Sequence, residues 1–192
     1  MCIKRVILGA TRYLHYMCTR GRYGFLARSA VLIKLLRVDG AHNIHIESGV
    51  VVQPGTWLAA VALTSADHCR LEIKQNAIIG NFNHIYATRS IVIESEVLIA
   101  DKVYISDCAH EYRDVQTPIL KQPIKQLNNV VIGQGAWIGE NACVIGASVG
   151  KGSVVGANSV VLSDIPAYSI AVGSPARVVK KYNFETQQWE KV

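Results

Sequence analysis

Residues 130–161, VVIGQGAWIGENACVIGASVGKGSVVGANSVV, decide the fold. Ile132, Ile138 and Val144 fall six apart, and after a one-residue deletion Val149, Val155 and Val161 repeat the spacing. A period of six is neither that of a helix nor that of a plain hairpin strand. The residue two places before each aliphatic position is often small or apolar (Ala77, Val97, Val103, Ala136, Ala142), so two side chains of each hexad point inward along a short strand. Gly and Asn between them (Gly133, Gly139, Asn141, Gly150, Gly156, Asn158) mark corners, where branched residues resist the backbone angles required.

The same count extends toward the N-terminus. Ile93, Ile99 and Ile105 form one series, Ile73, Ile79, Ile85 and Ile91 another, and Ile46, Val52 and Leu58 a third. Three hexads make one triangular coil whose strands pair with the coils above and below at about 4.8 Å. The expectation is an all-β solenoid over residues 41–172 with roughly six coils, in a single domain. Its register is lost between Ile105 and Ile132, a gap of 27 residues. Residues 110–127, HEYRDVQTPILKQPIKQL, hold two prolines and few inward-type side chains, so they read as one extruded loop. Residues 1–40 show helix-compatible spacing interrupted by Gly21 and Gly24, predicting two short helices that cap the open end. Residues 173–192 read as a C-terminal segment whose Phe184 and Trp189 dock on the body.

Charge is unevenly placed. The chain of 192 residues carries a net charge of +6, but residues 1–40 hold eight Lys or Arg against Asp39 alone, and the rest is slightly acidic. That basic segment reads either as a solvated face packed on the body or as a peripheral contact with an anionic membrane or glycan. No nucleic-acid recognition motif accompanies it. No apolar run spans a bilayer and no cleavable leader is visible, so the expected location is cytoplasmic, with the inner membrane face as the alternative. Five scattered cysteines without a CxxC pair suggest buried thiols, neither a disulfide framework nor a zinc site.

Several longer motifs carry a resemblance. NFN at 81–83, ISDCAHEY at 105–112, the repeat from Val130 and SVVGANSVVLSDIPAYSIAVGSPARVVK at 153–180 resemble the hexapeptide-repeat acyltransferases. Within them they are similar to the O-acetyltransferases of maltose, galactoside, capsule and lipopolysaccharide sugars. The resemblance implies a left-handed β-helix, acetyl-CoA as acyl donor, a sugar or glycan acceptor, no metal, and a homotrimer with sites between subunits. It implies that His110 is the catalytic histidine, that Asn83 and Trp137 line the acceptor site, and that Gly139, Ala157, Arg177 and Lys180 contact coenzyme A. The chain departs from the pattern at Cys108 and Ala109, where relatives often carry His or Asn, and at Leu162, which replaces a threonine.

The chemistry points the same way. A sugar hydroxyl is a poor nucleophile while protonated, and an imidazole titrating near pH ~6.5 suits the removal of that proton. Among six histidines, His110 adjoins the extruded loop and follows Asp107 by three residues, which makes Asp107 the expected partner of its far ring nitrogen and Glu111 the runner-up. His84, beside Asn83, is a further candidate for the acceptor pocket. Small residues along a groove with cations at one end suit the arm and phosphates of coenzyme A. The rival readings are a non-catalytic scaffold, a transferase acting on a free sugar, an amino sugar or an antibiotic, and a zinc-dependent carbonic anhydrase. The last would need a histidine triad, yet no histidine follows His110.

Overall fold

In the computed structural model, which describes residues 16–192, the hexads wind into a parallel β-helix with three faces. The first face stacks Phe25–Leu26, Ile44–Ile46, Arg70–Ile73, Ser90–Ile93 and Val130–Ile132. The second stacks Val31–Leu32, Val51–Val52, Ile78–Ile79, Leu98–Ile99, Trp137–Ile138, Val154–Val155 and Ser169–Val172. The third stacks Arg37–Asp39, Trp57–Ala60, His84–Ala87, Tyr104–Ser106, Cys143–Ile145 and Val160–Val161.

Every sixth residue lands at the middle of a face because each coil returns to the same angular position. Leu58, Ile85, Ile105, Val144 and Val161 therefore stand in register up the third face, and all are fully buried. Ile46, Ile73, Ile93 and Ile132 do the same on the first face, and Val52, Ile79, Ile99, Ile138 and Val155 on the second. Each such side chain contributes about 1.5–3 kcal/mol by leaving water. The core is a set of three aliphatic columns, stabilised between neighbouring coils with no separate centre. Ala77, Val97, Ala136, Val103 and Ala142 fill the narrowing space beside the vertices.

The corner residues divide into two classes. Asn141 and Asn158 do adopt the left-handed region, at φ 58° each. Gly139 does not: a Cβ there would lie 2.5 Å from the Ala157 amide nitrogen in the coil above. Its glycine is demanded by the close approach of stacked backbones.

Three expectations need correction. Within the described part of residues 1–40, helix is confined to residues 16–22, and the first coil of the solenoid begins at Phe25. Leu26, Leu32 and Val38 carry the same six-residue spacing and pair in parallel with Ile46, Val52 and Leu58. The cap predicted over residues 1–15 lies outside the described residues. Second, the solenoid extrudes at two places: residues 61–69 also leave it, between the third and first faces. Leu58 and Ile73 are fifteen apart, not a multiple of six, which is the trace of this insertion. Third, the C-terminal segment forms two antiparallel strands, Arg177–Asn183 and Gln188–Lys191, that extend the second face beyond the last coil. Tyr182 meets Phe184 and Trp189 edge-on, yet Phe184 stays mostly exposed.

Among the described residues no helix is long and apolar enough to cross a membrane. Cys69 and Cys108 are buried, Cys143 is half-buried and Cys18 is exposed; Cys2 lies outside the described residues.

Candidate active site

The segment after Ser106 leaves the third face and returns to the first, so it departs from a vertex of the prism. It is a hairpin: Cys108–His110 runs antiparallel to Ile124–Gln126, with His110 opposite Ile124. Two hydrogen bonds close the tip, from Gln122 Nε2 to the carbonyls of Asp114 (2.8 Å) and Thr117 (2.7 Å). Tyr112, Val115, Ile119 and Leu120 stand exposed on it. His110 itself is exposed at the base of this arm.

The base is fixed by Asp107, which is fully buried. Its Oδ1 accepts from the Thr88 amide (2.7 Å) and the Thr88 hydroxyl (2.9 Å), and its Oδ2 from the amides of Arg89 and Ser90 (2.7 Å each). Its carbonyl accepts from Leu127 N (2.9 Å) and Gln126 Nε2 (2.7 Å). The side chain thus welds the hairpin to the turn of the preceding coil. The expectation that Asp107 orients the His110 ring is corrected: residues three apart in an extended strand point to opposite sides and stand about 10 Å apart along the chain. Glu111 does not serve either, since its Oε1 accepts from the amides of Tyr112 and Arg113 (3.0 and 3.3 Å). Those backbone donors, that of Tyr112 foremost, lower its pKa.

Asn83 is likewise corrected as an acceptor ligand. It is 1 % exposed, with Nδ2 donating to the Ala100 carbonyl (2.9 Å) and Oδ1 accepting from the Val103 amide (2.7 Å). Both ends of its amide tie one coil to the next. His84 lies on the outer surface of the third face, stacked on Trp57 with ring centroids 4.1 Å apart and planes 8° apart. Tyr86 and Tyr104 complete the cluster, burial pushes the His84 pKa down, and its Nε2 is buried without a hydrogen-bond partner. It belongs to an aromatic ladder on the third face.

The remaining candidates gather at a different vertex. Gly139 and Ala157 are successive corners between the second and third faces, and Arg177 pairs with Val172 at the end of the same stack. Ala157 and Arg177 are exposed, and one guanidinium nitrogen of Arg177 donates to the Ala176 carbonyl (3.0 Å). Trp137 precedes this vertex on the second face, 49 % exposed, and Lys180 stands on its column three rungs up, through Val154 and Ile170. Leu162, by contrast, falls at the hairpin vertex, where it lines a cleft of about 480 Å³ with Arg89, Gln126, Leu127 and Ile145. One chain therefore presents an exposed histidine at one vertex and a cation-ended corner at the next, with the third face between them.

No family model matches the chain. A putative lipopolysaccharide biosynthesis O-acetyl transferase of Escherichia coli K12, WbbJ, is 42% identical over 123 residues, 60% of this chain and 63% of the relative. A probable acetyltransferase of Mycobacterium tuberculosis, Rv3034c, is 41% identical over 111 residues, 57% of this chain and 37% of the relative. The chain is therefore similar to acetyltransferases over a shared stretch of about 110 to 120 residues. Each match spans less than two thirds of the relative's own length.

Solved structures of acyltransferases agree with the fold of the chain. AntD, an N-acyltransferase from Bacillus cereus, superposes with a TM-score of 0.68 over 88% of this chain and 89% of its own, at 16% identity. The polySia specific acetyltransferase NeuO gives 0.63 over 79% and 68%, at 22% identity. A maltose O-acetyltransferase from Clostridium difficile 630 gives 0.52 over 91% and 88%, at 23% identity. These are left-handed β-helices, and the chain shares their winding. Ordinary parallel crossovers wind the other way, so hand was not to be had from counting hexads.

Proposed function

We propose that the chain transfers an acetyl group from acetyl-CoA to a hydroxyl of a surface-glycan sugar, with His110 as general base. The observation that carries this reading is the exposed His110 on a strand whose base is welded by the buried Asp107. A base held this way meets an acceptor in fixed geometry, which is what general-base catalysis requires. The name of WbbJ supports a lipopolysaccharide-type acceptor.

In the transfer, the acceptor oxygen attacks the thioester carbonyl as its proton passes to the free nitrogen of His110. The carbon–sulfur bond breaks, the acetyl group stays on the sugar oxygen, and coenzyme A leaves as its thiol after taking that proton. Gly139 and Ala157 would border the pantetheine arm, Trp137 would wall the acyl end, and Arg177 and Lys180 would hold phosphates. Because His110 and this corner occupy neighbouring vertices of one prism, the site closes between two copies, with His110 of one facing the corner of the next. The exposed apolar residues of the hairpin support such a contact, and a cyclic trimer satisfies it three times. A coenzyme A donor places the reaction in the cytoplasm, and a lipid-linked acceptor would bring it to the inner membrane face, beside the basic N-terminal segment.

The test is incubation with acetyl-CoA and a panel of O-deacetylated glycans, free sugars and amino sugars, read by mass spectrometry, with sedimentation of the same preparation. A gain of 42 mass units on a glycan hydroxyl by an oligomer is expected, roughly one acetyl replacing one hydrogen. Acetylation confined to amino groups, or full activity in a sedimenting monomer, overturns it.

Arg177 gives a separate prediction. A charge-assisted hydrogen bond contributes about 1.5–3 kcal/mol, less where water competes. Arg177→Ala should weaken acetyl-CoA binding about tenfold by calorimetry while leaving the unfolding midpoint in place. Unchanged affinity would remove Arg177 from the phosphate site.

A further inference from the structure

Both insertions leave the solenoid from the same vertex. Residues 61–69 depart after the second coil and the hairpin after the fourth, with the turn at Thr88 and Arg89 between them. Side chains join the three. Thr64 Oγ1 donates to Gln126 Oε1 (2.7 Å), and Gln126 Nε2 donates to the Asp107 carbonyl (2.7 Å). The Thr88 hydroxyl, shared between two acceptors, reaches Asp107 Oδ1 at 2.9 Å and Gln126 Oε1 at 3.1 Å. The far end of the 61–69 segment is anchored separately, by the buried Cys69 thiol donating to the Ala87 carbonyl (3.3 Å).

Gln126 faces Cys108 across the hairpin, and His110 faces Ile124, so one short ladder links the latched residue to the base. That ladder has three residue pairs. Two strands alone are marginally stable in water, and their direction is set by whatever holds them from outside. The Asp107 weld fixes where the first strand begins, and the Asp107 carbonyl (2.9 Å) and the Arg89 guanidinium (2.8 Å) hold the Leu127 backbone at the end of the second, which leaves the lean of that strand to be set by a side chain. Gln126 does that, and the group that orients its carbonyl oxygen, other than the shared Thr88 hydroxyl, is Thr64, 62 residues earlier.

We propose that Thr64 is a positioning residue for His110: its hydroxyl, through Gln126, sets the lean of the hairpin and makes the 61–69 insertion part of the catalytic scaffold. The proposal rests on the reading of His110 as general base. Displacements of about an ångström from the reactive geometry cost up to ~100-fold in rate, so a partial loss of direction costs about tenfold.

The experiment compares Thr64→Val, Thr64→Ser and His110→Ala in the full chain. Turnover is read as release of coenzyme A thiol from acetyl-CoA, with O-deacetylated lipopolysaccharide as acceptor and with water alone. Amide hydrogen exchange across residues 108–111 is followed in the same samples. Thr64→Val should lower kcat about tenfold, leave the KM for acetyl-CoA within about twofold, and speed exchange at the hairpin base; Thr64→Ser should restore all three. A Thr64→Val protein with full kcat beside an inactive His110→Ala overturns the latch and leaves the base in place. Equal losses in the Val and Ser proteins overturn it too, since the hydroxyl would then not be the acting group. A fully active His110→Ala brings down the reading of His110, and the latch with it.

Discussion

His110→Ala is expected to lower acetyl transfer by a factor of about 10² to 10⁴, the usual contribution of a positioned general base. Acetyl-CoA affinity should stay within about twofold, because the imidazole acts on the acceptor and the cations proposed for the phosphates stand at another vertex. Stability should also hold, since the side chain is exposed and its removal opens no cavity in the aliphatic columns. The measurement pairs single-turnover rates with calorimetric binding on one folded preparation. Loss of rate with loss of binding would make His110 a structural or coenzyme-side residue, and a near-normal rate would remove it from the chemistry.

Asp107→Ala is expected to be the most damaging substitution outside the core columns. It strips the acceptor from the amides of Thr88, Arg89 and Ser90 and from the Thr88 hydroxyl at once. A buried donor left without a partner costs about 1–3 kcal/mol, and four donors lose their acceptor together here, so about 3–5 kcal/mol is expected once the turn relaxes. A loss of about 3–5 kcal/mol is a large part of the 5–15 kcal/mol typical of a domain. Urea unfolding should show it as a shifted midpoint. Asp107→Asn keeps one acceptor oxygen but turns an amide N–H toward two donors, so it should fall between. This pair of variants separates two roles. If Asp107 instead tuned the histidine, Asp107→Asn would unfold like the native protein and lose turnover alone.

The two roles were not separable in the sequence. Asp107 and His110 are three residues apart, and proximity along the chain suggested a pair, yet the carboxylate turns inward to a backbone segment 17 to 19 residues earlier. Asn83 misled for the same reason, because NFN matches a family motif while the amide itself bridges to Ala100 and Val103 in the next coil. The first coil is legible in the spacing. Leu26, Leu32 and Val38 keep the six-residue count, but basic residues placed between them gave the segment the look of an amphipathic helix. The 61–69 insertion had its own trace, in the fifteen residues from Leu58 to Ile73.

By itself the sequence determined the repeat, the aliphatic columns and the point where the hairpin leaves, because each depends on spacing within a coil and a coil is a local, periodic object. The tertiary structure decided the rest. Which vertex a residue occupies depends on the running sum of every insertion before it, and which side chain it meets depends on the coil stacked above or below. That is why Asp107 proved to be a weld, why Thr64 reaches Gln126, and why His110 and the Gly139–Ala157 corner stand on neighbouring vertices.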